Sequence, residues 1–344
     1  MLETKLGIDF GSANITVYAE NRGIVRREPS VVVCDRYTGQ VIAQGEEADS
    51  MKEKLPASMK VIYPIKDGIV QDYPTALYLL RNYMNAACKG RLLRPSVLMS
   101  VSGNVTELEK KALFDLVTAA GAGRACFIEE SLAAAAGAGF DLKLPRGSMI
   151  CDIGGGTTEC AVLSMGSVVV SETARIGGND LSNAISDYIL HEHSISIGRS
   201  TAEEIKKTVG TAVYRNEEVA MIAAGKHRDT SFPVFFEISS TEIYWVLKSY
   251  MDEILQCVKS VLEKTPPELV ADISVEGLVI CGGTSALYGI DRYLEWNLGI
   301  ATTIAENAPH CAAQGLGRLL KNLKELENNG LIFATAEDES DDDE

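Results

Sequence analysis

At 344 residues, with 46% hydrophobic and 23% charged residues, the chain has the composition of a soluble globular protein and a length that suits two domains of about 150 residues. No apolar run reaches the roughly 18 residues of a membrane-crossing helix, and no basic flank precedes an apolar stretch at the N-terminus, so a cytoplasmic protein is expected. The net charge of −16 argues against the basic footprint that nonspecific nucleic-acid binding needs.

Strand-like segments are predicted at 5–10, 15–19, 23–33 and 41–44. A helical pattern follows at 75–89, then a buried strand at 96–101. Thr106 and Glu109 have the spacing of a capping box and open a helix that carries Leu113, Val117 and Ala120 on one face. A strand at 125–128 and a helix at 131–138 lead to the loop Leu144-Pro145-Arg146-Gly147. In the second half, helices are expected at 180–193 and 200–212, a hairpin between 219 and 238, and a long helix after Ser239. That helix starts on the capping pattern Ser239-Ser240-Thr241-Glu242, carries an apolar stripe from Ile243 to Val261, and stops at Pro266-Pro267. A strand at 278–281 then ends in Gly282-Gly283-Thr284.

The most informative feature is a repeat. Leu6-Gly7-Ile8-Asp9-Phe10-Gly11-Ser12-Ala13-Asn14 and Met149-Ile150-Cys151-Asp152-Ile153-Gly154-Gly155-Gly156-Thr157 each run an apolar strand into an acid and a small-residue turn. Small residues let the backbone approach a phosphate oxygen, and consecutive N–H groups in a turn form an anion site. The acid adds what such a turn lacks, because Mg²⁺ prefers carboxylate and water oxygens. Two such hairpins are expected to hold one triphosphate, with Asp9 and Asp152 serving Mg²⁺ mostly through water. A domain boundary near residue 146 follows. The eight cysteines form no C-x-x-C pair and read as reduced core residues.

Further blocks carry a family resemblance. They are Glu28-Pro29-Ser30-Val31-Val32, Pro64-Ile65-Lys66-Asp67-Gly68, Ile128-Glu129-Glu130 with Ala133-Ala134-Ala135, Asp152 through Glu159, Ala202-Glu203-Glu204-Ile205-Lys206-Lys207, and Thr265-Pro266-Pro267-Glu268-Leu269. Together with the two turns, and in the same order, they resemble the MreB family of bacterial actin homologues, within the wider actin, Hsp70 and sugar-kinase superfamily. The resemblance covers about residues 5–320. It implies an α/β actin-like fold of two duplicated lobes, each with an inserted smaller subdomain, around a nucleotide cleft. The first lobe would span 1–145 with an insert at about 33–66, and the second 146–315 with an insert at about 181–245. A C-terminal helix at 316–334 would return to the first lobe, and 335–344 would form an acidic disordered tail.

The resemblance also implies site residues. Ser12, Ala13 and Asn14 would meet phosphate from the first lobe and Gly154, Gly155 and Gly156 from the second. Glu130 would orient the attacking water, with Thr157 helping to place it. Glu203, Glu204, Ile205 and Lys206 would border the nucleoside, as would Gly282, Gly283, Thr284 and Ser285. Some of these residues, and some others, also have simpler readings. Ser200-Thr201-Ala202-Glu203 is itself a capping-box pattern, and Lys206 and Lys207 stand at helical ion-pair spacing from Glu203. His191-Glu192-His193 lacks the spacing of a zinc helix. Leu92 and Leu93, between basic residues, form a candidate membrane loop.

The expected function is therefore an ATP- and Mg²⁺-dependent filament, a homopolymer that hydrolyses ATP slowly and organises cell-wall synthesis and rod shape. It would lie at the inner face of the cell membrane, with cell-wall synthesis membrane proteins as further partners and no nucleic acid. A filament for plasmid or organelle positioning is the alternative. A small-molecule kinase or Hsp70-like ATPase fits less well, since no β-rich peptide-binding region follows residue 320.

Overall fold

The computed structural model describes residues 4–88 and 93–322. These fall into two compact units, one within 1–144, 165–168 and 310–344, the other within Pro145–Ser164 and Val169–Pro309.

The first unit is built on a sheet whose strands are β1 (Lys5–Phe10), β2 (Asn14–Ala19), β3 (Gly23–Pro29), β9 (Ser96–Val101) and β10 (Arg124–Glu129), in the order β10-β9-β1-β2-β3. β1 pairs antiparallel with β2 and parallel with β9, so it is central and covered on both faces. On one face α2 (Tyr73–Ala87) and α3 (Glu107–Ala119) bury Leu79, Leu80, Tyr83, Leu116 and Val117 against Leu6, Ile8 and Val17. Asp72 caps α2 by accepting from the Thr75 amide at 3.0 Å. The capping box at Thr106 and Glu109 forms as the sequence predicts.

On the other face lie α4 (Glu130–Ala138) and α10 (Cys311–Lys321), which bring Ala133, Ala136, Leu316 and Leu320 onto Leu98, Cys126 and Ile128. These two helices touch through glycines. A Cβ on Gly137 would lie 1.8 Å from the Cys311 carbonyl oxygen, and one on Gly315 would lie 1.7 Å from that of Ala133. A smaller layer holds β4 (Val32–Asp35), β5 (Val41–Gln44), α1 (Gly45–Met51) and β6 (Met59–Ile62), and β7 (Ile65–Lys66) pairs with β8 (Ile69–Val70).

The second unit repeats this plan. β11 (Ser148–Ile153), β12 (Thr158–Ser164), β13 (Ser167–Ala174), β17 (Leu278–Cys281) and β18 (Thr302–Ile304) run in the order β13-β12-β11-β17-β18. Its central strand again pairs antiparallel with the next strand and parallel with a strand from much later in the chain. Around it pack α5 (Gly178–Glu192), α6 (Arg199–Val209), α7 (Ser240–Lys264), α8 (Pro267–Glu276) and α9 (Ile290–Leu298), with a three-stranded sheet of β14 (Ile195–Ser196), β15 (Ala220–His227) and β16 (Pro233–Ser239). The stripe on α7 is buried at Ile243, Leu247, Ile254, Val258 and Val261.

Three expectations need correction, and a fourth, the stop at Pro266-Pro267, holds with an addition. The 23–33 strand is two, because Ser30 turns away to bond the 11–13 loop, its amide donating to the Ala13 carbonyl at 3.0 Å. Pro266-Pro267 ends α7, yet Pro267 opens α8, a position proline suits because its missing N–H would have no helical partner there. The helix expected at 200–212 ends at Val209, before Gly210. The last described helix starts at Cys311 rather than 316, and the acidic tail at 335–344 lies outside the described residues. Seven of the eight cysteines are buried, and Cys88 is half-buried.

Candidate nucleotide-binding site

The two aspartate turns have one geometry. In the first, Gly11 N–H donates to the Asn14 carbonyl at 3.1 Å; in the second, Gly154 N–H donates to the Thr157 carbonyl at 2.8 Å. The strand registers match too: Asp9 lies opposite Thr16 and Asp152 opposite Glu159, each one step below the turn.

In the first unit the turn is braced from two sides. Ser30 Oγ donates to the Gly11 carbonyl at 2.6 Å, and the Gly68 amide donates to Ser12 Oγ at 3.1 Å. Ser12, Ala13 and Asn14 are half-buried at the turn. Asp9 lies in a row with Thr16 and, one strand further, Arg27. Burial raises its carboxyl to about 6, against the opposing pull of the Arg27 guanidinium. A carboxylate so desolvated gains from any cation brought to it. Glu130 is the first residue of α4, directly after β10, with Glu129 extended as the N-cap; the chain thus places a carboxylate at a strand-to-helix junction.

In the second unit more of the expected residues converge. Gly154 is held by Thr284, whose hydroxyl donates to its carbonyl at 2.7 Å, and by the amide of Gly178 at 3.0 Å. Asn179 N–H donates to the Gly155 carbonyl at 2.7 Å, and Arg199 holds the Asn179 side chain at 2.7 Å. Among the described residues no acceptor binds the amides of Gly155 and Gly156. Gly282, at φ +85°, passes so close that a Cβ there would lie 2.3 Å from Asp152 Oδ1. Gly283 next to it faces open space. Free turn amides, a neighbouring buried aspartate and a glycine approach form a donor set that fits a phosphate with its cation.

Beside this turn, Lys206 Nζ donates to the Gly178 carbonyl at 2.7 Å and lies 2.6 Å from Glu203 Oε2. Ser182 donates to the same carboxylate at 2.8 Å, and Lys207 stands 3.4 Å from its other oxygen. Burial pushes the Glu203 carboxyl up, but Lys206, Ser182 and Lys207 together hold it below the usual range. Burial lowers Lys206, and Glu203 offsets only part of that. The capping reading of Ser200 to Glu203 is not realised. α6 begins at Arg199 after Gly198, with no side-chain cap, and Glu203 turns to Ser182 and Lys206 instead.

The remaining candidates separate. The Ile205 side chain is fully buried in the core of its unit, while Glu204 is exposed. Ser285 is fully buried and donates to the Gly282 carbonyl at 2.7 Å, so its hydroxyl shapes the loop. Thr157 is half-buried at the end of the turn. Leu93 is 49% exposed, and Leu92 lies outside the described residues. His193 Nε2 sits 3.3 Å from Glu242, and no metal-ligand trio occurs among the described residues. Gly178, Asn179 and Ser182 escaped the sequence reading; the signal was the pair Gly177-Gly178 ahead of a helical pattern.

The family model of the MreB/Mbl protein matches residues 3–328. The chain belongs to the MreB/Mbl family. It is 39% identical over 335 residues to the cell shape-determining protein Mbl of Bacillus cereus, covering 96% of this chain and 100% of that one. It is 38% identical to the cell shape-determining protein MreB of Escherichia coli K12, over 93% of this chain and 94% of the relative. The solved structure of MreB5 of Spiroplasma citri bound to ADP superposes with a TM-score of 0.91 at 34% identity, over 95% of this chain and 99% of that one. A second structure of that protein, bound to AMPPNP, gives 0.90. The MamK double helical filament, at 20% identity and a TM-score of 0.79, shares the actin-like fold. The α/β actin-like class that the resemblance implies is thus the observed one.

Proposed function

We propose that this MreB/Mbl-family chain is a cytoskeletal ATPase that polymerises head to tail and organises cell-wall synthesis and rod shape from the inner face of the membrane. The observation that carries the nucleotide part is the duplicated turn, each copy one residue beyond a strand-borne aspartate that is followed by an apolar residue. The solved relatives bound to ADP and AMPPNP support it.

Each residue has a task that its chemistry permits. Ser12, Ala13 and Asn14 and the amides of Gly155 and Gly156 bind phosphate oxygens. Asp9 and Asp152 hold Mg²⁺ through water, and the ion supplies charge neutralisation on the phosphates. Lys206, held by Glu203 and the Gly178 carbonyl, and the Gly282 to Thr284 loop border the nucleoside. Glu130 accepts a proton from, and orients, the attacking water, with Thr157 as its aid. Polymerisation follows from the family's actin-like surfaces meeting heterologously, an arrangement that leaves an open chain. Exposed Leu93, with Leu92, is assigned to membrane contact.

Pelleting and electron microscopy of the purified chain with Mg-ATP test the filament; monomers persisting at all concentrations, with and without lipid, would reject it. For catalysis, Glu130→Ala is expected to lower ATP hydrolysis on the order of 10²-fold while nucleotide affinity is kept. Loss of affinity instead would make Glu130 structural.

A further inference from the structure

The assigned carboxylates leave one polar group in their row unaccounted for. Ser100 lies on β9, between β1 and β10. In the strand register it is the neighbour of Asp9 on one side and of Ile128 on the other, two residues before Glu130. Register neighbours project to the same sheet face, so the Ser100 hydroxyl and the Asp9 carboxyl emerge side by side. It is the face on which Leu98 and Ile128 meet α4 and α10. Ser100 is 8% exposed, and its Oγ has no hydrogen-bond partner among the described residues.

An unspent buried hydroxyl is unusual. Most buried polar side-chain atoms are paired, and an alanine of nearly the same shape would remove the cost of desolvating this one. Ser96, on the same strand, shows the ordinary case: its Oγ accepts from Arg124 Nε at 3.2 Å. The second unit has no hydroxyl at the matching place, since Asp152 is flanked there by Cys281. The first unit therefore places a donor and acceptor beside its half-buried carboxylate where the fold itself needs none.

We propose that Ser100 is a positioning residue of the cation site, its hydroxyl holding a water of the Mg²⁺ hydration shell beside Asp9, on the side of the strand that leads to Glu130. Mg²⁺ keeps several of its waters when bound, and groups that orient them tune its affinity. The inference rests on the reading of Asp9 as a cation-holding residue.

The test uses the full chain, with a fluorescent non-hydrolysable ATP analogue titrated against Mg²⁺, and thermal unfolding without nucleotide. In Ser100→Ala the nucleotide-free melting temperature is expected to stay level or rise, while the Mg²⁺ concentration for half-maximal binding rises by about tenfold. Ser100→Thr, which keeps the hydroxyl, should restore the wild-type requirement. Asp9→Asn should shift it further than Ser100→Ala. An unchanged Mg²⁺ requirement in Ser100→Ala beside a shifted one in Asp9→Asn overturns the role of Ser100 and leaves that of Asp9 standing. No shift in either overturns both. A drop in melting temperature with a Mg²⁺ shift that threonine does not restore makes Ser100 a packing residue, which also overturns the proposal.

Discussion

Single residues show how closely charge and burial are matched around the candidate site. His310, at the start of α10, has a buried Nδ1 with no hydrogen-bond partner among the described residues. Burial, and next the Arg27 guanidinium, hold its imidazole below the usual 6.5. The folded chain thus prefers the neutral ring, and the unfolded chain takes up a proton first as the pH falls. Stability present above pH 6.5 should be lost as the pH drops through the folded value. Comparing denaturant midpoints at pH 7.5 and 5.5, wild type should lose more than His310→Gln; equal losses would show that this ring does not carry the pH dependence. Several site roles at this scale were not legible in the chain. Glu203 had two structural readings, a helix cap and a partner for lysines, beside the nucleoside contact that the resemblance implies. The helix starts at Arg199, ahead of Ser200, which removes the cap, and Glu203 meets Ser182, a residue on another helix that no spacing rule connects to it. Thr284 was expected only to border the nucleoside, and only the fold reveals that its hydroxyl holds Gly154.

Among the elements, those with a local physical cause were read well. The boxes at Thr106 and Ser239 and the stripe on α7 rest on interactions within four residues, and each appears as expected. The aspartate hairpins belong here as well, since an acid and a small-residue turn between two apolar strands leave the backbone few alternatives. α1, α8 and α9 were missed. They are short, and packing against neighbours rather than local pattern sets them. The crossing of α4 and α10 is another case. It depends on Gly137 and Gly315, far apart in sequence, each lacking the atom that would strike a backbone carbonyl of the other helix. Gly315→Ala is expected to cost about 1–3 kcal/mol through the forced separation of the helices, read as a lower thermal midpoint. An unchanged midpoint would mean that the helices separate without loss.

For the molecule as a whole, charge is the property most open to test. A chain of net charge −16 that joins copies of itself brings like charges together. At about 0.01 M salt the screening length is roughly 30 Å, and at about 0.1 M roughly 10 Å. The critical concentration for assembly should therefore fall as salt rises across that range at fixed Mg-ATP. A critical concentration that rises instead would mean that attractive ion pairs dominate the contacts.

By itself the sequence determined the fold class, the family, the internal duplication and the two turns, because each is written in neighbouring residues or in blocks that follow in order. The tertiary structure decided which candidates share a site. Glu203, Ser182, Lys206 and Gly178 come together, as do Thr284 and Gly154, while Ile205 goes to the core and Ser100 is placed beside Asp9. Those are contacts between segments tens of residues or more apart, made by strand register and helix packing, and no periodicity along the chain encodes them.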